Sequence, residues 1–350
     1  MSLTTIGIIG IVILVILLFS KMPVGFVMAF LGFLGFSYVV NLTAGLSLLA
    51  KDVFGTFSYS LTVIPLFVLM GQIAFHAGIS RRLYDSVYVF MGHYRGGLAI
   101  ATIAACAGFS AISGSTNATA ATMATVTLPE MRRYKYDMSL ATGTVAAGGS
   151  LGILIPPSVI FIVYGIMTEQ SIGKLFAAGI LPGILLAMLF MLTIYARVQM
   201  NPGLAPPGPK TTLGEKAKSF TGVLEALIIF LFVMGGLFFG IFVPTEAGAV
   251  GAFLTLLVAL ARRQLTWEGF LRSLMDSARI SCMVMVIVTG AVVFGHFMAI
   301  TRIPFILANW VSALPLPNYA VMGVIVIIYL FGGCFMDALA MIMLLSLIHI

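Results

Sequence analysis

Long stretches of this chain carry no polar rhythm. Residues 5–19, 61–74, 226–242 and 281–297 are apolar and free of Lys, Arg, Asp and Glu. A helix on a water-soluble domain shows a polar face with a period of 3.6 residues. Uniform apolarity over about 17–25 residues is instead the pattern of a bilayer-spanning helix. Two segments mix charge with apolar positions, residues 81–92 and 266–277, and are expected to lie along the membrane interface as amphipathic helices. The pattern breaks in two further places. Residues 113–117, SGSTN, and residues 148–158, GGSLGILIPPS, put small, hydroxyl-bearing and helix-breaking residues where a spanning helix should continue.

Composition agrees with the pattern. The chain is 61% hydrophobic and 8% charged, with mean hydropathy +1.15. Soluble domains carry about 25% charged residues, so the expected fold is an all-α polytopic membrane protein. The net charge of +7 does not point to nucleic acid, because the basic residues sit mostly in short loops between apolar runs, as the positive-inside bias requires. Cys106, Cys282 and Cys334 lie in apolar stretches without paired spacing and read as buried small hydrophobes. Residues 1–20 lack the basic start of a cleavable signal. The last six residues, LSLIHI, resemble the translation of a transposase-adapter DNA end, so residues 345–350 are expected to be an adapter-derived scar.

Charge threads the chain through the membrane. Arg81, Arg82 and Arg95 form one basic cluster and Arg132, Arg133 and Lys135 the next. If both face the cytoplasm, residues 96–131 enter and leave by one side. The second limb, residues 118–131, would span about 21 Å at 1.5 Å per residue, short of a core about 30 Å thick. The segment is therefore expected to be a re-entrant hairpin with residues 113–117 at its tip. Residues 138–167 then run outward as a broken helix, 175–196 return, 197–220 form a cytoplasmic loop, and 222–242, 247–261 and 281–300 alternate. Working backwards through scaffold helices in residues 1–77, the N-terminus falls outside.

The two halves are weakly alike. GQIAFHAGIS, starting at Gly71, resembles GHFMAITRIP, starting at Gly295, an offset of 224. The first unit, residues 1–196, starts outside. The second, residues 221–344, starts inside. Inverted repeats of this kind typify secondary transporters. By the same offset the second unit is incomplete, with only the first limb of its own hairpin, beginning near Tyr319.

The interruptions carry the candidate chemistry. A helix broken inside the bilayer survives only where it is buried or lines a cavity. Its free N–H end attracts a carboxylate and its free C=O end suits a hard cation. At the tip stand Ser113, Gly114, Ser115, Thr116 and Asn117, with Thr119 just behind; they bring neutral oxygens and an amide without permanent charge. The second break brings Gly148, Gly149, Gly152, Ile155, Pro156, Pro157 and Ser158, where the prolines remove donors and free upstream carbonyls. The bland alternative for either motif is close helix packing. Asp337, an acid in an apolar run, is a possible member of a second-half site. Glu246 reads as a helix cap.

These motifs, SGSTNATAATMA, GGSLGILIPPS and FVPTEAGAVGA in this order, make residues 1–344 resemble the large membrane subunit of tripartite ATP-independent periplasmic (TRAP) transporters. The resemblance implies an elevator-type, non-enzymatic secondary transporter of the bacterial inner membrane. It implies import of an organic acid (a C4-dicarboxylate, sialic acid or similar carboxylate) driven by Na⁺, with no other cofactor. It also implies two partners, a small four-helix membrane subunit and a periplasmic substrate-binding protein. Carried over by position, Na⁺ is expected near Ser115 and the carbonyls of Gly149 and Pro156. A binding-protein-independent inverted-repeat carrier of dicarboxylates or citrate, or a channel, is the competing reading. An intramembrane serine protease is disfavoured because AISG lacks the first Gly of its nucleophile turn. GLAPPGPKT is a Pro-rich linker rather than a phosphate loop.

Overall fold

The computed structural model describes residues 1–20, 22–56, 59–208, 211–313, 317–334 and 338–349. Among them the chain forms α-helices and short 3-10 turns and no strand. The first helices are α1 (Leu3–Phe19), α2 (Val24–Val39), α3 (Leu42–Thr56), α4 (Val63–His76) and α5 (Ile79–Met91). Then come α6 (Gly97–Ser113), α7 (Thr116–Arg133), α8 (Met138–Gly149), α9 (Val159–Met167), α10 (Ile172–Met200) and α11 (Leu213–Phe238). The last are α12 (Pro244–Ala261), α13 (Trp267–Thr301), α14 (Ile303–Ala313), α15 (Asn318–Gly333) and α16 (Ala338–His349).

Helices α10 to α13 are each long and apolar enough to cross a bilayer, and α4 and α5 form a pair bent by 63°. Large apolar side chains stand on the outside of α10, with Leu181 76% and Met188 57% exposed. A continuous surface of this kind is stable against lipid and not against water. The protein is a multi-pass helical membrane protein.

The chain divides into two compact units, residues Met1–Leu61 with Ser281–Ile350, and Thr62–Ile280. Each draws on both halves of the sequence. Element starts repeat along the chain at nearly the spacing read from the residues: α14 begins 303 − 79 = 224 residues after α5, α15 318 − 97 = 221 after α6, and α16 338 − 116 = 222 after α7.

In the first unit, backbone meets backbone where α2 crosses the second half of α13. A Cβ at Gly32 would lie 2.6 Å from Phe294 N, and one at Gly25 2.8 Å from Val286 O. Such approaches give dispersion contact without a solvent-driven force, the usual basis of packing in lipid. Asp52 on α3, 7% exposed, pairs with His296 Nδ1 at 2.9 Å.

In the second unit, Glu225 on α11 is buried and held by arginines from two other elements, α5 and the end of α12. Arg82 donates to its Oε2 from Nε at 3.0 Å and Nη2 at 2.7 Å, while Arg262 reaches Oε1 at 2.8 Å. Arg82 Nη1 also donates to the Ala77 carbonyl at the end of α4. The α4–α5 elbow is thereby tied to α11 and α12.

Several expectations need correcting. Residues 197–220 are not one open loop. Helix α10 runs to Met200, a 3-10 turn covers Pro202–Leu204, and α11 begins at Leu213. The reason is local: Thr212 Oγ1 accepts from Glu215 N and Glu215 Oε2 from Thr212 N, a capping box that starts the helix ahead of its apolar run. Residues 266–277 are not a separate interfacial helix, since α13 is one 35-residue helix with no proline in it. Helix α7 has 18 residues rather than 14, its last turn holding Arg132 and Arg133. Beyond α15 a further helix, α16, follows the first limb near Tyr319. Of the cysteines only Cys106 is buried; Cys282 and Cys334 are exposed, because apolar sequence in a bilayer faces lipid as readily as protein. Glu246 Oε2 accepts from Val243 N at 3.0 Å, a cap on α12.

Candidate functional site

The two interruptions meet inside the second unit. Helix α6 ends because Gly114 turns left-handed at φ 61°, its N–H returning to Ser110 O at 3.2 Å. Helix α7 starts one residue later, with Ser115 extended and its hydroxyl accepting from Ala118 N at 3.4 Å. Gly then Ser is a stop followed by a start, each in its preferred role. Across the turn, the Ser113 and Thr119 hydroxyl oxygens are 2.7 Å apart, and both residues are buried.

The second break is built in the same way. Helix α8 tightens into a 3-10 turn over Ser150–Ile153, the Pro156–Pro157 peptide is cis, and α9 starts at Val159. Ser158 caps α9, accepting from Phe161 N at 3.5 Å and donating to Ile153 O at 2.7 Å.

Direct contacts join the breaks. Val159 N–H donates to Gly114 O at 3.3 Å. A Cβ at Gly114 would lie 2.6 Å from Pro157 O, and one at Gly152 2.5 Å from Ser115 O. Helix α4 closes one side, since a Cβ at Gly71 would be 2.8 Å from Ser113 Cα; α10 closes another, with Gly183 against Ile155.

The structure thus brings Gly114, Ser115 and Thr116 against Gly152, Pro157, Ser158 and Val159, while Ser113 faces Thr119 and Gly71. Gly149 packs one turn down α7, on Ala120, and Gly148 on Cys106 of α6. Asn117 is exposed on the first turn of α7. Asp337 lies outside the described residues.

Chemically this is a junction of neutral oxygens. No residue within 113–119 or 148–158 is ionisable. Among the described residues, no hydrogen bond reaches the carbonyls of Ile155, Pro156 or Pro157, and the buried Thr116 Oγ1 has no partner. Unpaired carbonyl and hydroxyl oxygens of this kind suit a hard monovalent cation or the polar face of a small solute.

Sequence reasoning passed over the pairs that only the fold assembles. Glu225 stands immediately before the apolar run 226–242, but its two arginines come from α5 and the end of α12. His76 Nε2 meets Asp276 at 3.2 Å, two hundred residues away. Among the described residues no three His, Cys, Asp or Glu side chains gather as a metal site.

Broken helices that meet inside a bundle of apolar-faced helices are a recurrent feature of membrane transport proteins. Residues 11–350 match the family described as tripartite ATP-independent periplasmic transporter, DctM component. The chain is 38% identical over 291 residues to the C4-dicarboxylate TRAP transporter large permease protein DctM of Pseudomonas aeruginosa, covering 82% of this chain and 67% of that protein. It is 33% identical over 331 residues to the sialic acid TRAP transporter large permease protein SiaM of Vibrio cholerae, covering 94% and 77%. With the isethionate TRAP transporter permease protein DctMQ of Oleidesulfovibrio alaskensis it shares 35% over 295 residues, covering 83% and 46%. This chain belongs to the large permease family of TRAP transporters, a family of transport proteins and not of enzymes.

Proposed function

We propose that the chain is the permease through which an organic acid enters a bacterial cell across the inner membrane, coupled to Na⁺ and delivered by a periplasmic binding protein. The observation that carries this reading is the junction of the two breaks, Val159 N–H on Gly114 O, with uncharged oxygens left over around it. A coupling ion must be bound and released in every cycle. Neutral oxygens at a helix break hold Na⁺ without the permanent charge that would trap it. The Ser115 hydroxyl and the carbonyl oxygens of Pro156 and Gly149 are the ligands assigned to the ion in this reading.

The substrate class is a small carboxylate. The named relatives handle C4-dicarboxylates and sialic acid, and α7 begins at the tip, where the N–H groups of a helix N-terminus favour a carboxylate. In the family's tripartite scheme the binding protein selects and the permease moves, so the partners are that binding protein and a small membrane subunit. The division into two compact units is what elevator-type transport requires. Placing the basic turns in the cytoplasm puts the N-terminus in the periplasm.

Reconstitution tests this. Liposomes holding the permease with its small membrane subunit are loaded outside with the paired binding protein and a radiolabelled acid, C4-dicarboxylate and sialic acid in separate arms. Uptake is expected only with an inward Na⁺ gradient and only with the binding protein. Uptake that proceeds equally without the binding protein, or with K⁺ replacing Na⁺, would refute the corresponding part of the proposal.

A further inference from the structure

Residues 201–208, with Thr211 beyond them, act as a strap across the basic end of the second unit. Ala205 O accepts from Gly96 N at 3.2 Å, at the start of α6, and Leu204 O from Asp137 N at 2.9 Å, at the start of α8. Gly208 N donates to Gly92 O at 2.8 Å, and Thr211 Oγ1 to Val89 O at 2.7 Å, both at the end of α5. Between strap, arm end, α6 and α10 lies a cavity of about 580 Å³, within the range of small-molecule sites.

The contents of its wall are informative. Arg95, Tyr94, Tyr195 and Gln199 are exposed and present donors, and Met91, His93, Pro207 of the strap and Ile100 of α6 complete the lining. No acid lines it. Arg82 and Arg262 are paired with Glu225, and Arg272 with Glu268, whereas Arg95 has no ion pair or hydrogen bond among the described residues. An exposed apolar face of α10 adjoins the cavity at Tyr195. Leu181, Leu185, Met188, Leu192 and Tyr195 are exposed along one face of α10 at helical spacing, and they lead from the span to the cavity's edge.

A cationic head pocket at the interface, beside an exposed apolar face of a spanning helix, fits an amphiphile with an anionic head. We propose that this cavity binds one acidic phospholipid, its phosphate on the Arg95 guanidinium and its acyl chain along α10. Arginine's planar fork suits a phosphodiester, and basic pockets between spanning helices are a recurrent way of holding acidic lipid heads. The site lies where the strap gathers the bases of α6 and α8, so the lipid would brace the segment that carries the two helix breaks.

The test is native mass spectrometry of the full chain in neutral detergent with equal dioleoyl-phosphatidylglycerol and dioleoyl-phosphatidylcholine. One phosphatidylglycerol should be retained over phosphatidylcholine by about fivefold or more, the worth of one arginine at a membrane surface. Arg95→Gln should bring the ratio near one, Arg95→Lys should keep part of it, and Arg272→Gln, at a paired surface arginine, should leave it unchanged. An unchanged ratio in Arg95→Gln, or equal retention of the two lipids by the unmodified chain, overturns the proposal. Displacement of the lipid by millimolar inorganic phosphate would show a soluble-anion site instead. Loss of the lipid when the small membrane subunit is bound would assign the cavity to that subunit. If Arg95→Gln melts early in phosphatidylcholine alone, the Lys and Arg272 variants decide.

Discussion

Replacing Gly114 by Ala tests the junction most directly. At φ 61° a side chain costs about 1–2 kcal/mol on backbone grounds alone. The new Cβ would also sit 2.6 Å from Pro157 O, and backbone does not yield as a flexible side chain does. Relieving that overlap costs about 1–3 kcal/mol and separates Val159 N from Gly114 O, whose hydrogen bond contributes about 1 kcal/mol. The expected loss is about 4 kcal/mol. Two other glycines isolate the terms. Gly240 has φ 72° with no atom near its missing Cβ, so Gly240→Ala should lose only the backbone term. Gly143 lies in open space inside α8, and Gly143→Ala should gain about 0.5–1 kcal/mol from helix propensity. Unfolding of the three variants, followed by tryptophan fluorescence in one lipid nanodisc preparation, gives the ranking. If Gly114→Ala loses no more than Gly240→Ala, Pro157 does not press on Gly114 and the two breaks are not in contact.

Three further outcomes follow from the same geometry. Ser113→Ala and Thr119→Ala should each destabilise by about 1 kcal/mol, with a double-mutant coupling of similar size; additive losses would mean that the 2.7 Å oxygen contact contributes nothing. Glu225→Gln should cost about 3 kcal/mol by leaving Arg82 and Arg262 unpaired, and adding Arg82→Gln should recover part of it; equal thermal midpoints for the single variant and the unmodified chain would contradict this. Asp137, in the turn before α8, is held below its ordinary 3.8 by the Ser139 hydroxyl and then by the backbone N–H groups of Leu140 and Ser139. Its folded value is depressed, so its contribution to stability is present above pH 4 and lost as pH falls through the lower, folded value. The stability gap between the unmodified chain and Asp137→Asn should therefore shrink below pH 4, and a gap that is constant from pH 6 to 2.5 would remove the cap.

What was legible in advance was whatever is encoded locally. Runs without charge declare spanning helices because lipid tolerates no unpaired backbone. Gly114 followed by Ser115, and Gly152 followed by two prolines, declare breaks because each residue acts on its own dihedrals and donors. The family was legible too, because those breaks occur in a fixed order. Only the tertiary structure decided which groups meet. Glu225 finds arginines at positions 82 and 262, Asp52 finds His296, and residues 201–208 become a strap rather than a free loop. Only there, too, does Gly114 press on Pro157. Each of these joins side chains or peptides separated by tens to hundreds of residues, and no periodicity along the chain records a distance across it. Local chemistry sets where the helices stop; close packing of backbone on backbone sets which stops face each other.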